Sequence, residues 1–290
     1  MYHKYYNFSD KPFRLNPDPR VFFSSKTHKR ALSYLRYGIE QGEGFIVITG
    51  DVGTGKTTLV SRLLRSLRTS NYIVANIVSS NLRPTDLLRM VSAELELSYE
   101  ETSKAVLLKN LELFFKSCME QGKRVLIVVD EAQNLTSKSL EELRMLSNIQ
   151  WNGRQLTQSF LLGQKEFRTL LRSHGFEQLR QRVIATYHLR PLDKEETKDY
   201  IIFRLKMVGW NDDPLIENSV FENIYGYTRG VPRKVNLLCD RILLYGSLEE
   251  LHIISNQTFL AVMEDVEDEF WGEDDPEIQQ IETSGIKRLQ

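Results

Sequence analysis

The chain has 290 residues, of which 41% are hydrophobic and 27% charged, the proportions of an ordinary globular protein. No apolar run approaches the roughly 18 residues that a membrane-spanning helix needs, and the first residues lack the apolar core of a signal peptide. We therefore expect neither a membrane span nor secretion. Cys118 and Cys239 lie far apart in apolar helical patterns, which predicts buried free thiols in a reducing cytoplasm. The five histidines are scattered, and no group of residues has metal-ligand spacing.

The net charge of −1 conceals an uneven distribution. Residues 264–290 contain ten acidic and two basic residues, a charge of −8, which leaves +7 on residues 1–263. The acidic segment is typical of a solvated, disordered tail. It is either a passive tail or a peptide that docks on a basic face or a partner through Phe270 and Trp271. The mild basicity of residues 1–263 is slight evidence for nucleic-acid binding.

Residues 1–23 are rich in aromatic residues and prolines, in a pattern that is neither helical nor that of a regular strand. The segment is too apolar for a free tail, so we expect it to pack on the core of the main domain. An alternative role is one wall of an adenine pocket, because a purine needs flat apolar surfaces. Ser24 or Ser25 then caps a helix whose apolar stripe runs up to Gly42.

The stretch Gly50–Thr57 has the pattern G-x-x-x-x-G-K-[ST], between an apolar run at Phe45–Thr49 and leucines at helical spacing. A strand, a glycine loop and a helix in this order predict a phosphate-binding loop. Its glycines let backbone N–H groups cradle phosphates at the positive end of the helix. Lys56 adds a charge near the β- and γ-phosphates, and the Thr57 hydroxyl can hold Mg²⁺. The predicted nucleotide-binding residues of the loop are Gly50, Asp51, Val52, Gly53, Thr54, Gly55, Lys56, Thr57 and Thr58.

The alternation of strands and helices continues after the loop. Apolar and β-branched runs predict four more strands, and helical repeats separate them. The predicted strands are Tyr72–Val78, Val125–Val129, Gln158–Gly163 and Ala185–Leu189.

An acidic pair, Asp130 and Glu131, ends the third predicted strand. In a phosphate-loop protein, such a pair lies beside the nucleotide. Asp130 would then coordinate Mg²⁺ through water, and Glu131 would orient or deprotonate the attacking water. Gln164, at the tip of the fourth strand, suits a residue that senses the γ-phosphate; the alternative is a surface glutamine.

From Pro191 onward, helical patterns dominate. Gly230–Arg233 is a turn whose proline is placed to begin a helix. We therefore divide the chain into an aromatic segment, an α/β nucleotide-binding domain, a small helical domain and the acidic tail, at residues 1–23, 24–190, 191–263 and 264–290.

The order of these motifs resembles the AAA+ ATPases. The similarity is greatest to the general secretion pathway protein A type, which includes ATPases associated with exosortase and exopolysaccharide systems. The resemblance implies a P-loop NTPase fold, with a five-stranded parallel sheet sandwiched by helices and followed by a helical lid, and it implies ATP and Mg²⁺ as ligands. It spans roughly residues 1–263 and is carried by Asn16–Arg20, Gly50–Thr57, Val129–Leu135, Glu142–Asn148, Leu161–Gln164, Gln178–Arg182 and Gly230–Asn236.

The resemblance also implies roles for single residues. Gln164 falls at the first sensor position, where many AAA+ proteins have asparagine. Arg233 falls at the second sensor position of the lid, which contacts the γ-phosphate. Arg182, with Arg180 as the competing choice, falls where an arginine finger acts in trans on a neighbouring subunit's nucleotide. A homo-oligomer would then complete the site.

Three functions follow from these patterns. The first is an ATPase that remodels or assembles a protein partner in a membrane-associated secretion or exopolysaccharide system. The second is a DNA-stimulated ATPase helper similar to transposition ATPases, and the third is a non-hydrolysing, ATP-dependent assembly switch, against which the intact Asp130–Glu131 pair argues. Relatives can continue into a transmembrane helix and a periplasmic peptidoglycan-binding region, whereas this chain ends in the acidic tail. We therefore expect a cytoplasmic protein, held at the inner membrane only through partners.

Overall fold

The computed structural model describes residues 2–14, 22–67, 71–78, 81–100 and 103–270. These residues form two compact units. The α/β unit contains residues 22–192 and 231–233, and the helical unit contains the remainder. Cys118 in the first unit and Cys239 in the second are both buried free thiols, as predicted.

The five predicted strands and the main helices follow one another in the predicted order, whereas a four-residue helix at Tyr2–Tyr5 and four two-residue strands were not predicted. The helices are α1 (Tyr2–Tyr5), α2 (Lys26–Gln41), α3 (Lys56–Leu67), α4 (Pro84–Glu94), α5 (Lys104–Glu120), α6 (Ser137–Ser147), α7 (Lys165–Arg172), α8 (Glu177–Arg180), α9 (Lys194–Lys206), α10 (Asn218–Thr228), α11 (Pro232–Leu248) and α12 (Asn256–Phe270). The strands are β1 (Phe45–Gly50), β2 (Tyr72–Val78), β3 (Arg124–Asp130), β4 (Gln150–Trp151), β5 (Arg154–Gln155), β6 (Thr157–Gly163), β7 (Val183–Leu189), β8 (Leu215–Ile216) and β9 (Ile253–Ile254).

Five strands of the α/β unit form one parallel sheet in the order β2-β3-β6-β1-β7. Every residue of β1 and β6 is buried, including the polar residues that begin β6, because helices cover both faces of the sheet. The carboxyl ends of parallel strands share one edge, which we call the carboxyl edge. The predicted fold class, a P-loop α/β sheet followed by helices, is confirmed.

Alternation along the strands builds a separate core on each face of the sheet. Phe45 and Val47 of β1 point to the face where α4, α5 and α6 supply Leu87, Leu111 and Leu143. Ile46 and Ile48 point to the opposite face, where the core is completed from α2 and α3. Helices therefore cover both faces of the sheet, and the connecting loops lie at the ends of the strands.

The aromatic N-terminal segment departs from its prediction. Residues 2–14 belong to the helical unit and not to the α/β unit on which we expected them to pack. Tyr6 donates a hydrogen bond to the carbonyl of Leu251 at 3.0 Å, and the Arg204 Nε donates to the carbonyl of Pro12 at 2.6 Å. The expectation was wrong because apolar content predicts that a segment packs, but it does not identify the surface that receives it.

The first part of the acidic segment is helical, contrary to the prediction of a disordered tail from residue 264. Residues 264–270 continue α12, and Val266 is buried. Residues 271–290 and the Asn16–Arg20 motif lie outside the described residues. Among the helices that the structure describes, none has the length and apolar character that crossing a lipid bilayer requires.

One ion pair between an exposed lysine and a buried glutamate joins two helices of the α/β unit. Glu142 on α6 is 5% exposed, and its Oε1 accepts a hydrogen bond from Lys104 Nζ of α5 at 2.5 Å. Its Oε2 is buried and has no hydrogen-bond partner among the described residues. The carboxylate therefore depends on a single lysine for its charge compensation.

We expect Lys104→Ala to lower the free energy of unfolding by about 2–3 kcal/mol, because it leaves a buried carboxylate unpaired. Lys109→Ala on the same helix breaks only an exposed pair with Glu112 and should change it by less than about 1 kcal/mol. Urea unfolding of the two variants measures this difference. Equal losses would show that the Glu142 carboxylate does not depend on Lys104.

Candidate active site

The loop between β1 and α3 holds its shape through two left-handed glycines and one side-chain bond. Gly53 and Gly55 have φ angles of +80° and +92°, which glycine adopts far more readily than other residues. The Thr54 hydroxyl donates to the carbonyl of Asp51 at 2.8 Å. Val52 is exposed and Thr58 half-buried on α3, so the loop opens outward beside the start of a helix. This is the form of an anion-binding site.

Lys56 is the cation inside this loop. It is 6% exposed, and its Nζ donates to the carbonyls of Gly50 and Asp51 at 2.9 and 3.0 Å. Burial lowers the pKa of Lys56, while the carboxylates of Glu131 and Asp130 act in the opposite direction. The ammonium thus stands among neutral carbonyls of the loop, where an incoming anion can replace them as its partners.

Thr57 and Asp130 meet across the carboxyl edge. The Thr57 hydroxyl donates to Asp130 Oδ2 at 2.6 Å. Within the described residues, no three histidine, cysteine, aspartate or glutamate side chains cluster as a protein-only metal site would. A hydroxyl and one carboxylate fit Mg²⁺, which takes few protein ligands and completes its shell with water and phosphate oxygens.

Glu131 follows directly and is held by two glutamines. Its Oε2 accepts from Gln133 Nε2 at 2.5 Å and from Gln164 Nε2 at 3.2 Å. Gln164 lies just beyond β6, as predicted, so the structure brings the two carboxyl-edge residues together. The role of Gln133 was not predicted. The one sequence feature that indicates it is its position two residues after Glu131, which the structure places in a short 3₁₀ helix.

Arg233 reaches the loop through its backbone. Its N–H donates to the carbonyl of Gly53 at 3.2 Å, at the first turn of α11. A Cβ on Gly53 would lie 2.5 Å from the Cβ of Arg233, so the close approach requires glycine there. The Arg233 side chain is exposed beside the loop.

Two histidines support the loop from within the α/β unit. His28 of α2 is 5% exposed, its Nδ1 lies 2.7 Å from the Ser25 hydroxyl, and its Nε2 lies beside Gly55. Burial lowers its pKa to about 4, although a hydrogen bond with the Thr54 backbone acts in the opposite direction. His188 of β7 contacts the Thr49 hydroxyl at 3.1 Å, and burial lowers its pKa. Neither histidine belongs to a sequence motif, so no sequence pattern indicated their positions.

Arg182 is the predicted site residue that the structure does not bring to the loop. It immediately precedes β7 and therefore lies at the amino end of the sheet, where its carbonyl accepts from Phe45 N at 2.8 Å. Its side chain lines a cavity of about 560 Å³ together with Arg144 and Gln155. Arg180 differs, since its guanidinium donates to the carbonyls of Leu171 and Ser173 and to the Glu177 carboxylate.

Comparison with known proteins agrees with this geometry. Residues 39–171 match the family model of an AAA domain. The ORC2 protein of Aeropyrum pernix, solved as ADPNP–ADP complexes, has a TM-score of 0.68 at 16% identity, over 88% of this chain and 71% of that one. Cdc6p of Pyrobaculum aerophilum has a TM-score of 0.65 at 15% identity, over 86% and 71% of the two chains. The chain is therefore a P-loop protein with the AAA-type fold.

Within that class, the chain resembles the general secretion pathway protein A type. It is 36% identical over 266 residues to general secretion pathway protein A of Aeromonas hydrophila, which covers 91% of this chain and 48% of the relative. It is 26% identical to replication factor C small subunit 2 of Pyrobaculum islandicum, over 74% of this chain and 58% of that one. The chain thus spans about half the length of the curated relatives that it matches.

We expect Gly53→Ala to weaken binding of a fluorescent ATP analogue by at least about tenfold, because the added Cβ displaces the Arg233 backbone from the loop. Gly175→Ala is the matched control, since Gly175 has φ +91° and nothing within 4 Å of an added Cβ. Both variants should lose about 1–2 kcal/mol of stability through backbone strain. Equal affinities in the two variants would contradict the role of the Gly53–Arg233 contact.

The low pKa of His28 predicts a pH-dependent stability. The unfolded state binds a proton near pH 6.5 that the folded state accepts only near pH 4, so stability is full above 6.5 and falls as the pH drops towards 4. We expect about 2 kcal/mol of loss between roughly pH 7.5 and pH 5 from this group. Urea unfolding of His28→Gln at both pH values should show a smaller loss than the unmutated protein. A parallel decline would contradict the prediction, because His188 contributes equally to both proteins.

Proposed function

We propose that this protein binds ATP with Mg²⁺, hydrolyses it, and uses the reaction to remodel or assemble a protein partner. One observation carries the proposal. Lys56, the Thr57–Asp130 pair and the Glu131–Gln164 pair lie together at the carboxyl edge of one parallel sheet. These residues supply a cation, two metal-ligand oxygens, a base and a polar sensor, which are the groups that phosphoryl transfer to water needs.

Binding begins at the loop. The N–H groups of Gly53–Thr57 and the start of α3 receive the phosphates, and Lys56 exchanges its two carbonyl partners for phosphate oxygens. Thr57 and Asp130 would hold Mg²⁺ between them, the latter through water. The bound metal would neutralise charge that develops on the phosphate oxygens.

Hydrolysis requires a base beside the γ-phosphate. Glu131 orients a water and accepts its proton while the water oxygen bonds to the γ-phosphorus. The bond from the γ-phosphorus to the bridging oxygen breaks, which releases ADP and phosphate. Gln164 contacts the γ-phosphate from the tip of β6, and Arg233 does so from the start of α11.

Arg182 acts in trans in this proposal. The seven residues of β7 separate it from the carboxyl edge by about 20 Å, which exceeds the reach of an arginine side chain. Its guanidinium makes no hydrogen bond or ion pair within the described residues, whereas that of Arg180 makes three hydrogen bonds. These facts favour Arg182 over Arg180 as the finger and favour a homo-oligomer as the active form.

The proposed pathway of this protein is inferred from its similarity to a relative. The similarity to general secretion pathway protein A supports a partner in a secretion system, and a related exopolysaccharide or exosortase system is the finer hypothesis. Isolation of complexes with Glu131→Gln protein, which should hold ATP without hydrolysing it, would identify the partner.

A subunit-mixing experiment tests hydrolysis and the finger together. We expect Glu131→Gln to lower kcat by about 10²–10⁴ and Arg182→Ala to lower it by about 10³ or more, each without loss of ATP binding. An equal mixture of the two variants should recover part of the activity, because an intact Arg182 can complete a neighbour's site that retains Glu131.

Arg172→Ala is the control, since Arg172 is an exposed arginine at the end of α7 that should leave activity unchanged. An unmutated protein without ATP turnover would refute hydrolysis. A mixture without recovery, or full activity of Arg182→Ala, would refute the trans role and leave hydrolysis standing.

A further inference from the structure

The side-chain amide of Gln133 joins Glu131 to the tip of β6. Its Oε1 accepts from the main-chain N–H of Gln164 at 3.0 Å, and its Nε2 donates to Glu131 Oε2 at 2.5 Å. A main-chain N–H can only donate, so the oxygen of the amide must face Gln164. The orientation of the amide is thereby determined, and its NH₂ group must face the carboxylate.

A second amide converges on the same oxygen. Gln164 Nε2 also donates to Glu131 Oε2, at 3.2 Å, while within the described residues Oε1 of Glu131 accepts no hydrogen bond. The two amides differ in how they are anchored. Gln133 is tied to the main-chain N–H of Gln164, the residue that follows β6, whereas the side chain of Gln164 has Glu131 as its partner among these residues.

The backbone under Glu131 is equally constrained. Glu131 has φ 52° and ψ 41°, a left-handed conformation that residues with a side chain rarely adopt. Its N–H donates to Asp130 Oδ1 at 2.9 Å, and its carbonyl accepts from Asn134 N at 2.9 Å. The turn sets the orientation of the Glu131 side chain, and the Gln133 amide holds its Oε2 by a hydrogen bond.

We propose that Gln133 is the positioning residue for the catalytic base Glu131, and this inference rests on the proposed hydrolysis. When the amide of Gln164 turns to a γ-phosphate, Glu131 loses one of its two donors. Gln133 supplies the other, because its own oxygen remains bound to the main-chain N–H of Gln164. The carboxylate therefore stays in place at the moment when the sensor is engaged.

Kinetics of Gln133 variants test this role. We expect Gln133→Ala to lower kcat by about 10²-fold, as a displacement of the base by about 1 Å would, with KM and the affinity for an ATP analogue within about threefold. Gln133→Glu removes the donor and adds a like charge beside Glu131, so its kcat should be lower still. The double variant with Gln164→Ala should lose less than the product of the two single losses, because both amides bind one oxygen.

Gln121→Ala is the matched control, since Gln121 is an exposed glutamine at the end of α5 that should not change kcat. A Gln133→Ala protein with unchanged kcat, or with equal changes in kcat and KM, would overturn the inference. A crystal structure of Gln133→Ala gives a readout that does not depend on turnover. An unmoved Glu131 carboxylate there would also refute the positioning role, whereas absence of turnover in the unmutated protein would refute only the proposed hydrolysis.

Discussion

The parallel pairing of β6 between β1 and β3 is the constraint on which the rest of this structure depends. Its register places the ends of all three strands at one edge. The glycine loop leaves β1, Asp130 ends β3, and Gln164 follows β6 at that edge. Residues that lie far apart in the chain therefore come within hydrogen-bond distance of one another, as the 2.6 Å bond between Thr57 and Asp130, 73 positions apart, illustrates. A change in strand order would leave every motif intact and dismantle the site.

The loop itself depends on contacts from outside its own sequence. Its glycines permit left-handed backbone, but they do not select one conformation. Selection comes from packing, since His28 lies against Gly55, the Arg233 backbone against Gly53, and Leu189 against Gly50. The interior of the loop is neutral apart from Lys56, whose ammonium binds main-chain carbonyls. Packing therefore holds the backbone of the loop in one conformation, with its cation already desolvated and bound to the carbonyls of Gly50 and Asp51.

The parts of the fold that could be predicted from the sequence are those with strong local signals. Buried parallel strands are rich in apolar residues, and the phosphate loop is a contiguous motif, so the five strands of the sheet, the loop and the acidic pair were predicted where the structure has them, whereas the four two-residue strands were not. Gln133 and His28 were missed because each acts through contacts with residues distant in sequence or in another element. The N-terminal segment was assigned to the wrong surface for a related reason. Its apolar side chains indicate burial, whereas the surface that buries them depends on which unit offers complementary hydrogen bonds, such as those from Tyr6 and Arg204.

The sequence by itself determined the class of this protein, since its order of strands, glycine loop and acidic pair specifies a P-loop sheet. It also determined the identity of the chemical groups at the phosphate loop, because that motif is local. Only the tertiary structure decided how those groups meet. It separated Arg182 from the loop by the length of β7, engaged Arg180 in helix-end contacts, and placed two amides on one oxygen of Glu131. Local patterns encode backbone conformation and burial. The distances between side chains on different strands are determined only when the strands pair into the sheet.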